Sequence, residues 1–313
     1  MLFLTIEMEE VSASRYETKR CLCVRLLYYP ETNTKVCGEW EVNLCMPSFV
    51  VFLITSSYVL SMFIFPHLNK HIRWFKYLYT VIFLIYIISY IRIIYDGPGY
   101  FPFYYPFKRP NSSIDSDNLL EDDIASGFMT TKEQENWARM QTHPNRCILS
   151  HTAKRIVIRP DHYCDFTTTW IGKRNHKFFI LFLAWGSLYI LCFLFLTSYG
   201  LIYNINNNLS IFMTGFLFIY LFIGFLFFLF TGIHLFVQCS LVSKNLTSWE
   251  EWNKIVQEKY DKGCIHNWED ICGSSSRFYF WPFPFSPFNG RKNDELIADY
   301  EPYGKRIIYC EDD

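Results

Sequence analysis

The chain has 313 residues, is 51% apolar and 20% aromatic, and carries a formal net charge of -1. That balance excludes a basic nucleic-acid binder. The 11 Cys are mostly isolated, several in or beside apolar runs, with only Cys21 and Cys23 close together; this excludes a short-spaced secreted disulfide framework and reads as reduced thiols.

Met1 to Glu10 holds a short apolar stretch ended by acids, which fits neither a signal peptide nor a myristoylation signal. Residues 1–45 are mixed and polar, with little periodicity, and read as an N-terminal segment. Four apolar runs follow, Met46 to Pro66, Tyr77 to Tyr95, Phe178 to Leu201 and Leu209 to Val237. A helix rises about 1.5 Å per residue, so about 20 residues cover a hydrocarbon layer of about 30 Å. No soluble core needs four uninterrupted runs of this length. The predicted fold class is an all-α membrane protein of four transmembrane helices, with a cytosolic loop between helices 2 and 3 and a cytosolic C-terminal tail. The predicted organisation is 1–45 N-terminal segment, 46–95 helices 1 and 2, 96–177 loop, 178–237 helices 3 and 4, and 238–313 tail.

Orientation follows from the basic residues. Lys70, Arg73, Lys76 and Arg92 lie in or beside the first two spans, and the other 25 of the 29 Lys and Arg fall in the N-terminal segment, the loop and the tail. The positive-inside rule assigns those three segments, and so both termini, to the cytosol, with Lys173, Arg174 and Lys177 abutting span 3. Asn208-Leu209-Ser210 is a formal glycosylation sequon on the far side, too close to the membrane to be used.

The loop opens with Asp96-Gly97-Pro98-Gly99-Tyr100-Phe101-Pro102, whose Gly and Pro end span 2, and the aromatics up to Phe107 suit an interfacial position. Residues 110–126 are acidic and Ser/Asn-rich, a flexible composition, and Thr131 to Met140 reads as a short helix. His143, Cys147 and His151 are spaced by four, which on a helix shares one face; three donors beside Pro144 are weak grounds for a metal. In the tail, Tyr260 to Gly273 is a compact stretch. Phe278 to Phe288 is too rich in Pro for a helix and lies against either the membrane or the loop. His234, in the last run, is expected to be hydrogen-bonded within the bundle.

The loop's chemistry centres on Asp161-His162-Tyr163-Cys164. A nucleophilic Cys needs its thiolate. A neighbouring His takes the thiol proton, and an Asp orients that His and stabilises its charged form. By spacing alone the group is a weak signal, since Asp, His and Cys also meet by chance in surface loops. Its place shortly before span 3 tethers it near the membrane surface.

Here the sequence resembles the DHHC protein S-acyltransferases. The family's loop runs R-P-x-R-x-x-H-C-x-x-C-x-x-C-V, then D-H-H-C-P-W, then C-V-G-x-x-N-x-x-F-F. This chain has His143-Pro144-Asn145-Arg146, Arg155 to Pro160, Asp161-His162-Tyr163-Cys164, and Ile171-Gly172-Lys173-Arg174-Asn175-His176-Lys177-Phe178-Phe179, without a gap. Gly97-Pro98-Gly99 is similar to the family's Asp-Pro-Gly motif, Thr247-Ser248-Trp249-Glu250 to its Thr-Thr-x-Glu motif, and Tyr260-Asp261-Lys262-Gly263 with Asn267-Trp268 to its C-terminal motif. The resemblance covers roughly residues 46–273, and four motifs in order on four spans make it specific.

The resemblance implies a protein-cysteine S-palmitoyltransferase that takes a long-chain acyl group from acyl-CoA (palmitoyl-CoA) onto Cys164 and passes it to protein cysteines. His162 is the base and Asp161 its orienting partner; Lys173, Arg174 and Lys177 are candidate contacts for the CoA phosphates, though basic residues flank many spans for topology alone. The acyl chain is expected among the spans. Ser248 is expected to take over the second Thr's hydrogen bond near the catalytic Asp, Asn267 to support the tail, and Gly263 to serve a tight turn. Expected partners are the lipid bilayer and substrate proteins with membrane-proximal cysteines, with no nucleic acid, and the expected location is an endomembrane, endoplasmic reticulum or Golgi.

The chain departs from the family at its two structural zinc sites. The matching positions hold Leu149, Ser150, Ala153, Ile156, Tyr163 and Trp170, with the upstream pair near Asn136 and Arg139, so zinc is not expected. Ile148, Leu149, Ile156, Val157, Ile158, Phe166 and Trp170 are expected to form a small apolar core instead. Tyr163 stands where the family has a zinc-binding His; some fungal members with Asp-His-Tyr-Cys are active. Asp165 replaces a Pro, and its carboxylate is expected to raise the Cys164 pKa unless Arg159, Lys173 and Arg174 offset it. Two other readings compete: an inactive relative that binds acylated proteins as a scaffold, and a channel or transporter. The second is disfavoured by spans whose ionisable residues are chiefly Arg92 and His234.

Overall fold

The structure is a computed structural model. It describes short strands between residues 17 and 41, then residues 43–71, 73–100, 146–150, 155–208, 210–255, 258–291 and 293–297. The expectations for residues 101–145, including the interfacial aromatics, the acidic stretch, the helix from Thr131 and the upstream ligand positions, lie outside the described residues.

Among the described residues, four helices are long and apolar enough to cross a membrane. They are α1 (Cys45–Ile64, continued by a 3-10 turn to His67), α2 (Phe75–Asp96), α3 (His176–Asn206) and α4 (Ile211–Ser243). Each matches one of the expected runs. The last two reach beyond the ends of those runs, because α3 extends through Asn206 and α4 through Ser243 before the chain turns. Ser210 caps α4, accepting the Met213 amide at 3.3 Å.

The chain divides into two compact units, 43–93 with 177–287, and 1–42 with 94–176 and 288–313. The first holds the membrane-spanning helices. Within it α3 is central: half of its apolar window is buried, against 17% for α4. Hydroxyls and aromatics bond the helices sideways. Ser57 meets Tyr189 at 2.9 Å, Ser61 meets Tyr79 at 2.9 Å, Tyr220 donates to Ser56 at 3.0 Å, and Ser187 donates to Thr231 at 3.0 Å. A polar group inside such a bundle needs a partner, because the apolar phase offers no water. Tyr79, Tyr189, Tyr86 and Phe182 stack at centroid distances of 5.0–5.4 Å. Arg92 lies over the Phe178 ring at 4.7 Å; His234 is exposed, and its Nδ1 donates to the Phe230 carbonyl of its own helix at 2.8 Å, a bond along the helix and not the expected one across the bundle.

The tail up to Pro287 packs in the same unit. Thr247 begins a short helix α5 (Ser248–Trp252) with a full capping box: its hydroxyl takes the Glu250 amide, and the Glu250 carboxylate accepts the Thr247 amide. Ser248 is buried and accepts from Gln238 at 3.1 Å. Gly263, at φ +89, caps helix α6 (Cys264–Cys272), a conformation that favours Gly. Asn267 is fully buried; it accepts the Lys262 amide at 2.9 Å and donates to Ser243 O at 2.8 Å and Asp261 Oδ1 at 2.7 Å, so it ties the tail to the end of α4 as expected. The Phe/Pro run forms a 3-10 segment, Ser275–Phe280, followed by turns.

Short strands occur outside the spans, an addition to the all-α reading. Strands β1 (Glu17–Cys21), β2 (Val24–Tyr29), β3 (Thr34–Cys37) and β4 (Trp40–Glu41) form an antiparallel meander. In the loop, β5 (Cys147–Ser150) pairs with β6 (Arg155–Ile158), and β7 (His162–Cys164) pairs with β8 (Thr169–Ile171), both antiparallel. Cys147 therefore lies on a strand, and the shared helix face expected for it with His143 and His151 does not form at that residue; both His lie outside the described residues.

Candidate active site

The two loop hairpins are held by backbone and apolar contacts. Ile158 donates to Gly99 O at 3.0 Å, Lys173 to Ile158 O at 3.0 Å and Arg174 to Pro98 O at 3.1 Å, so the Gly97-Pro98-Gly99 turn laces strand β6 to the approach of α3. Gly172 is required there: a Cβ would stand 2.6 Å from Pro98 O and 2.9 Å from Pro98 Cβ. Asn175 closes the lacing, accepting the Gly172 amide at 2.8 Å and donating to Trp170 O at 2.9 Å. Of the expected core, Ile156, Val157 and Ile158 are buried, whereas Ile148, Phe166 and Trp170 are only half-buried. Ile156 and Ile158 form a cluster with Cys147 and with Phe288, Leu296 and Ile297 of the tail. Phe288, the last residue of the Phe/Pro run, thus packs against the loop.

Of the positions that match the family's zinc ligands, Leu149, Ser150, Ile156, Tyr163 and Trp170 lie among the described residues. Ile156 belongs to the apolar cluster. Trp170 Nε1 donates to Ser150 Oγ at 2.6 Å, and the Tyr163 ring meets the Trp170 ring edge-on at 6.1 Å. None of these supplies a thiolate or imidazole. Among the described residues no three His, Cys, Asp or Glu converge.

The strand β7 explains how Asp161-His162-Tyr163-Cys164 becomes a site. Side chains alternate faces along a strand, so His162 and Cys164 share one face, and Tyr163 points to the other, toward Trp170. Asp161 precedes the strand and is fully buried, its amide donating to Ile171 O at 2.8 Å. Its carboxylate oxygen Oδ2 lies 2.7 Å from His162 Nδ1, whose side chain keeps 19% of its surface exposed. That bond fixes Nδ1 as the donor and leaves Nε2 for the thiol. His162 is also hydrogen-bonded to Cys164.

The electrostatics match this geometry. Burial opposes the imidazolium, but the bonds to Asp161 and Cys164 outweigh it and raise the His162 pKa to about 10. Burial likewise opposes the Cys164 thiolate, yet the bond and charge of His162, helped by Thr167, bring its pKa below the ordinary thiol value. At Cys147 and Cys272 burial dominates and pushes the thiols up to about 12. Thr167 carries no signal in the sequence. It is fully buried in the β7–β8 turn, with its amide 3.2 Å and its hydroxyl 3.3 Å from the Cys164 carbonyl, both donating.

Two expectations are corrected here. The lowering of the Cys164 pKa comes from His162 and Thr167, not from Arg159, Lys173 and Arg174. Asp165 is exposed at the turn and is not among the groups that act on the thiol. Arg159 is buried at φ +47, and its Nη1 donates to His176 Nδ1 at 3.0 Å; a guanidinium cannot accept, so this ring nitrogen carries the lone pair.

The three cations singled out for CoA phosphates sit as follows. Lys173 is buried with its ammonium 5.8 Å from the Phe288 ring centroid. Arg174, half-buried, donates through Nη1 to Asn293 Oδ1 at 2.6 Å and to Arg291 O at 3.4 Å. Lys177 is buried and donates to Phe285 O at 3.0 Å and Phe280 O at 3.2 Å. Each is engaged by the tail across more than 100 residues of sequence, a pairing that spacing does not reveal.

Comparison with known proteins agrees with the geometry. The family model described as DHHC palmitoyltransferase matches residues 130–255. The chain is 28% identical over 178 residues to palmitoyltransferase ZDHHC15 of Rattus norvegicus, covering 51% of this chain and 52% of the relative. It is 30% identical over 156 residues to the Homo sapiens ZDHHC15, covering 47% and 46%. It is 28% identical over 207 residues to probable protein S-acyltransferase 12 of Arabidopsis thaliana, covering 62% and 67%. The chain spans about half the length of the first two relatives. The matched segment encloses Asp161, His162 and Cys164, so residues 130–255 of this chain are similar to the DHHC palmitoyltransferase family.

Proposed function

We propose that the chain is a protein-cysteine S-palmitoyltransferase working through an acyl-enzyme on Cys164. One observation carries this reading: Cys164 is a buried thiol with a lowered pKa, bonded to a His whose other nitrogen is held 2.7 Å from a buried Asp. That is the arrangement of an activated nucleophile.

In the first step His162 holds the Cys164 proton and Sγ attacks the thioester carbonyl of a long-chain acyl-CoA. The carbonyl electron pair moves onto oxygen. When the double bond re-forms, the bond to the CoA sulfur breaks, and the His162 imidazolium protonates the departing thiolate. In the second step His162 takes the proton from a substrate protein's Cys, whose sulfur attacks the Cys164 thioester, and Cys164 leaves as the thiolate. Asp161 keeps the imidazole in one tautomer through both steps. For the CoA phosphates we put Arg174 first. It stays half-buried, it uses Nη1 on the tail, and its guanidinium has five donors in all. Lys173 and Lys177 support this site as further positive charge.

Four spanning helices make the chain an integral membrane protein. The distribution of Lys and Arg supports both termini in the cytosol, and family resemblance supports an endomembrane and protein substrates with cysteines near the bilayer. The test is incubation of the purified protein with labelled palmitoyl-CoA. Label on the wild type, released by hydroxylamine and missing from Cys164→Ala, is the expected result. No label on either protein overturns the reading in favour of a non-catalytic scaffold.

A further inference from the structure

We infer that Thr169 supplies the hydrogen bond that stabilises the oxyanion formed when Cys164 attacks a thioester; the inference rests on the acyl-transfer reading above. In the β7–β8 hairpin Cys164 lies directly opposite Thr169. Residues directly opposite in an antiparallel pair project on the same face, with Cβ atoms about 4.5–5.5 Å apart. Thr169 thus shares the face that carries Cys164 and His162. Its side chain is buried at 2% exposure, and its Oγ has no hydrogen-bond partner among the described residues.

An orphaned buried hydroxyl opposes folding, because it gave up water and received nothing in return. Val has nearly the same shape and would fill this place without that penalty. Ser150 and Thr167, two other buried hydroxyl residues of this loop, are hydrogen-bonded. A donor left unsatisfied beside the nucleophile is instead what a transition state needs: a group that meets its partner only when negative charge develops.

In the acylation step the new bond forms between Cys164 Sγ and the acyl carbon. The carbonyl π pair becomes the oxyanion lone pair, and Thr169 donates its hydroxyl proton in a hydrogen bond without transferring it. The pair returns to the carbonyl as CoA thiolate leaves and takes its proton from His162. In the transfer step Thr169 does the same for the carbonyl attacked by the substrate thiol.

The experiment compares full-length wild type, Thr169→Val and Thr169→Ser in three measurements: acyl-enzyme formation from labelled palmitoyl-CoA, the pH profile of Cys164 alkylation by iodoacetamide, and thermal stability. Thr169→Val is expected to slow acylation on the order of 10²-fold. It is expected to leave the alkylation profile unchanged, because alkylation creates no oxyanion, and to melt at the same temperature as wild type or higher. Thr169→Ser is expected to recover most of the acylation rate. Acylation of Thr169→Val at the wild-type rate overturns the inference and leaves the acyltransferase reading intact. Equal losses of acylation, alkylation and stability also overturn it, in favour of a packing role. A wild type that alkylates on Cys164 but never acylates overturns the acyltransferase reading, and the inference with it.

Discussion

Trp170 Nε1 donates to Ser150 Oγ at 2.6 Å, joining strand β8 of one loop hairpin to strand β5 of the other. Both residues occupy positions where the family resemblance implies metal ligands. The edge-on contact of Tyr163 with Trp170 and the cluster around Ile156 and Ile158 hold the same region.

The first prediction concerns metal and this bond. The purified protein is expected to hold no stoichiometric zinc by elemental analysis, and chelator is expected to leave its melting temperature unchanged. Trp170→Phe removes the donor and is expected to cost about 1 kcal/mol, and Ser150→Ala somewhat more if it strands the indole N–H. Zinc at one or more ions per chain would refute the metal-free loop.

The second concerns pH. The raised His162 pKa contributes stability that is fully present below its unfolded value of about 6.5 and is lost as pH rises through about 10. The lowered Cys164 pKa contributes stability that is present above the ordinary thiol value and is lost as pH falls through the folded one. The charged pair therefore fills the window between the lowered thiol pKa and about 10. Cys164 is expected to be alkylated at pH values where an ordinary thiol is slow. His162→Ala is expected to move the alkylation profile to higher pH, since burial then acts with less opposition. A midpoint higher by about one pH unit leaves roughly tenfold less thiolate at neutral pH. An unchanged profile would show that His162 does not act on the thiol.

The third concerns Asp161. Asp161→Asn keeps the shape but replaces the carboxylate that fixes the His162 tautomer at 2.7 Å. Acyl-enzyme formation is expected to fall about 10²–10⁴-fold, with the near-ultraviolet circular dichroism unchanged. A loss under about tenfold would remove Asp161 from the catalytic group.

The fourth concerns the lacing beneath the site. Asn175→Ala leaves the buried Gly172 amide and Trp170 carbonyl without the bonds they make at 2.8 and 2.9 Å. The expected cost is about 2–4 kcal/mol in stability, seen as a lowered denaturation midpoint. Gly172→Ala is expected to be at least as damaging, because its Cβ would stand 2.6 Å from the Pro98 carbonyl. Wild-type stability in both variants would show that this junction does not hold the hairpins.

The four spans were legible because hydropathy is a local property that accumulates over each run, and no tertiary contact is needed to read it. Asp161, His162 and Cys164 were legible for a related reason: they lie within four positions, and their chemistry belongs to the residue types. What the tertiary structure alone decided is the pairing. Strand β7 sets His162 and Cys164 on one face; its register with β8 sets Thr169 opposite the nucleophile. Trp170 finds Ser150, and the tail reaches Lys173, Arg174 and Lys177. Each of these joins residues through space by backbone register or by a distant segment. A sequence records which side chains are available, whereas partners brought together by folding are set by the chain's path.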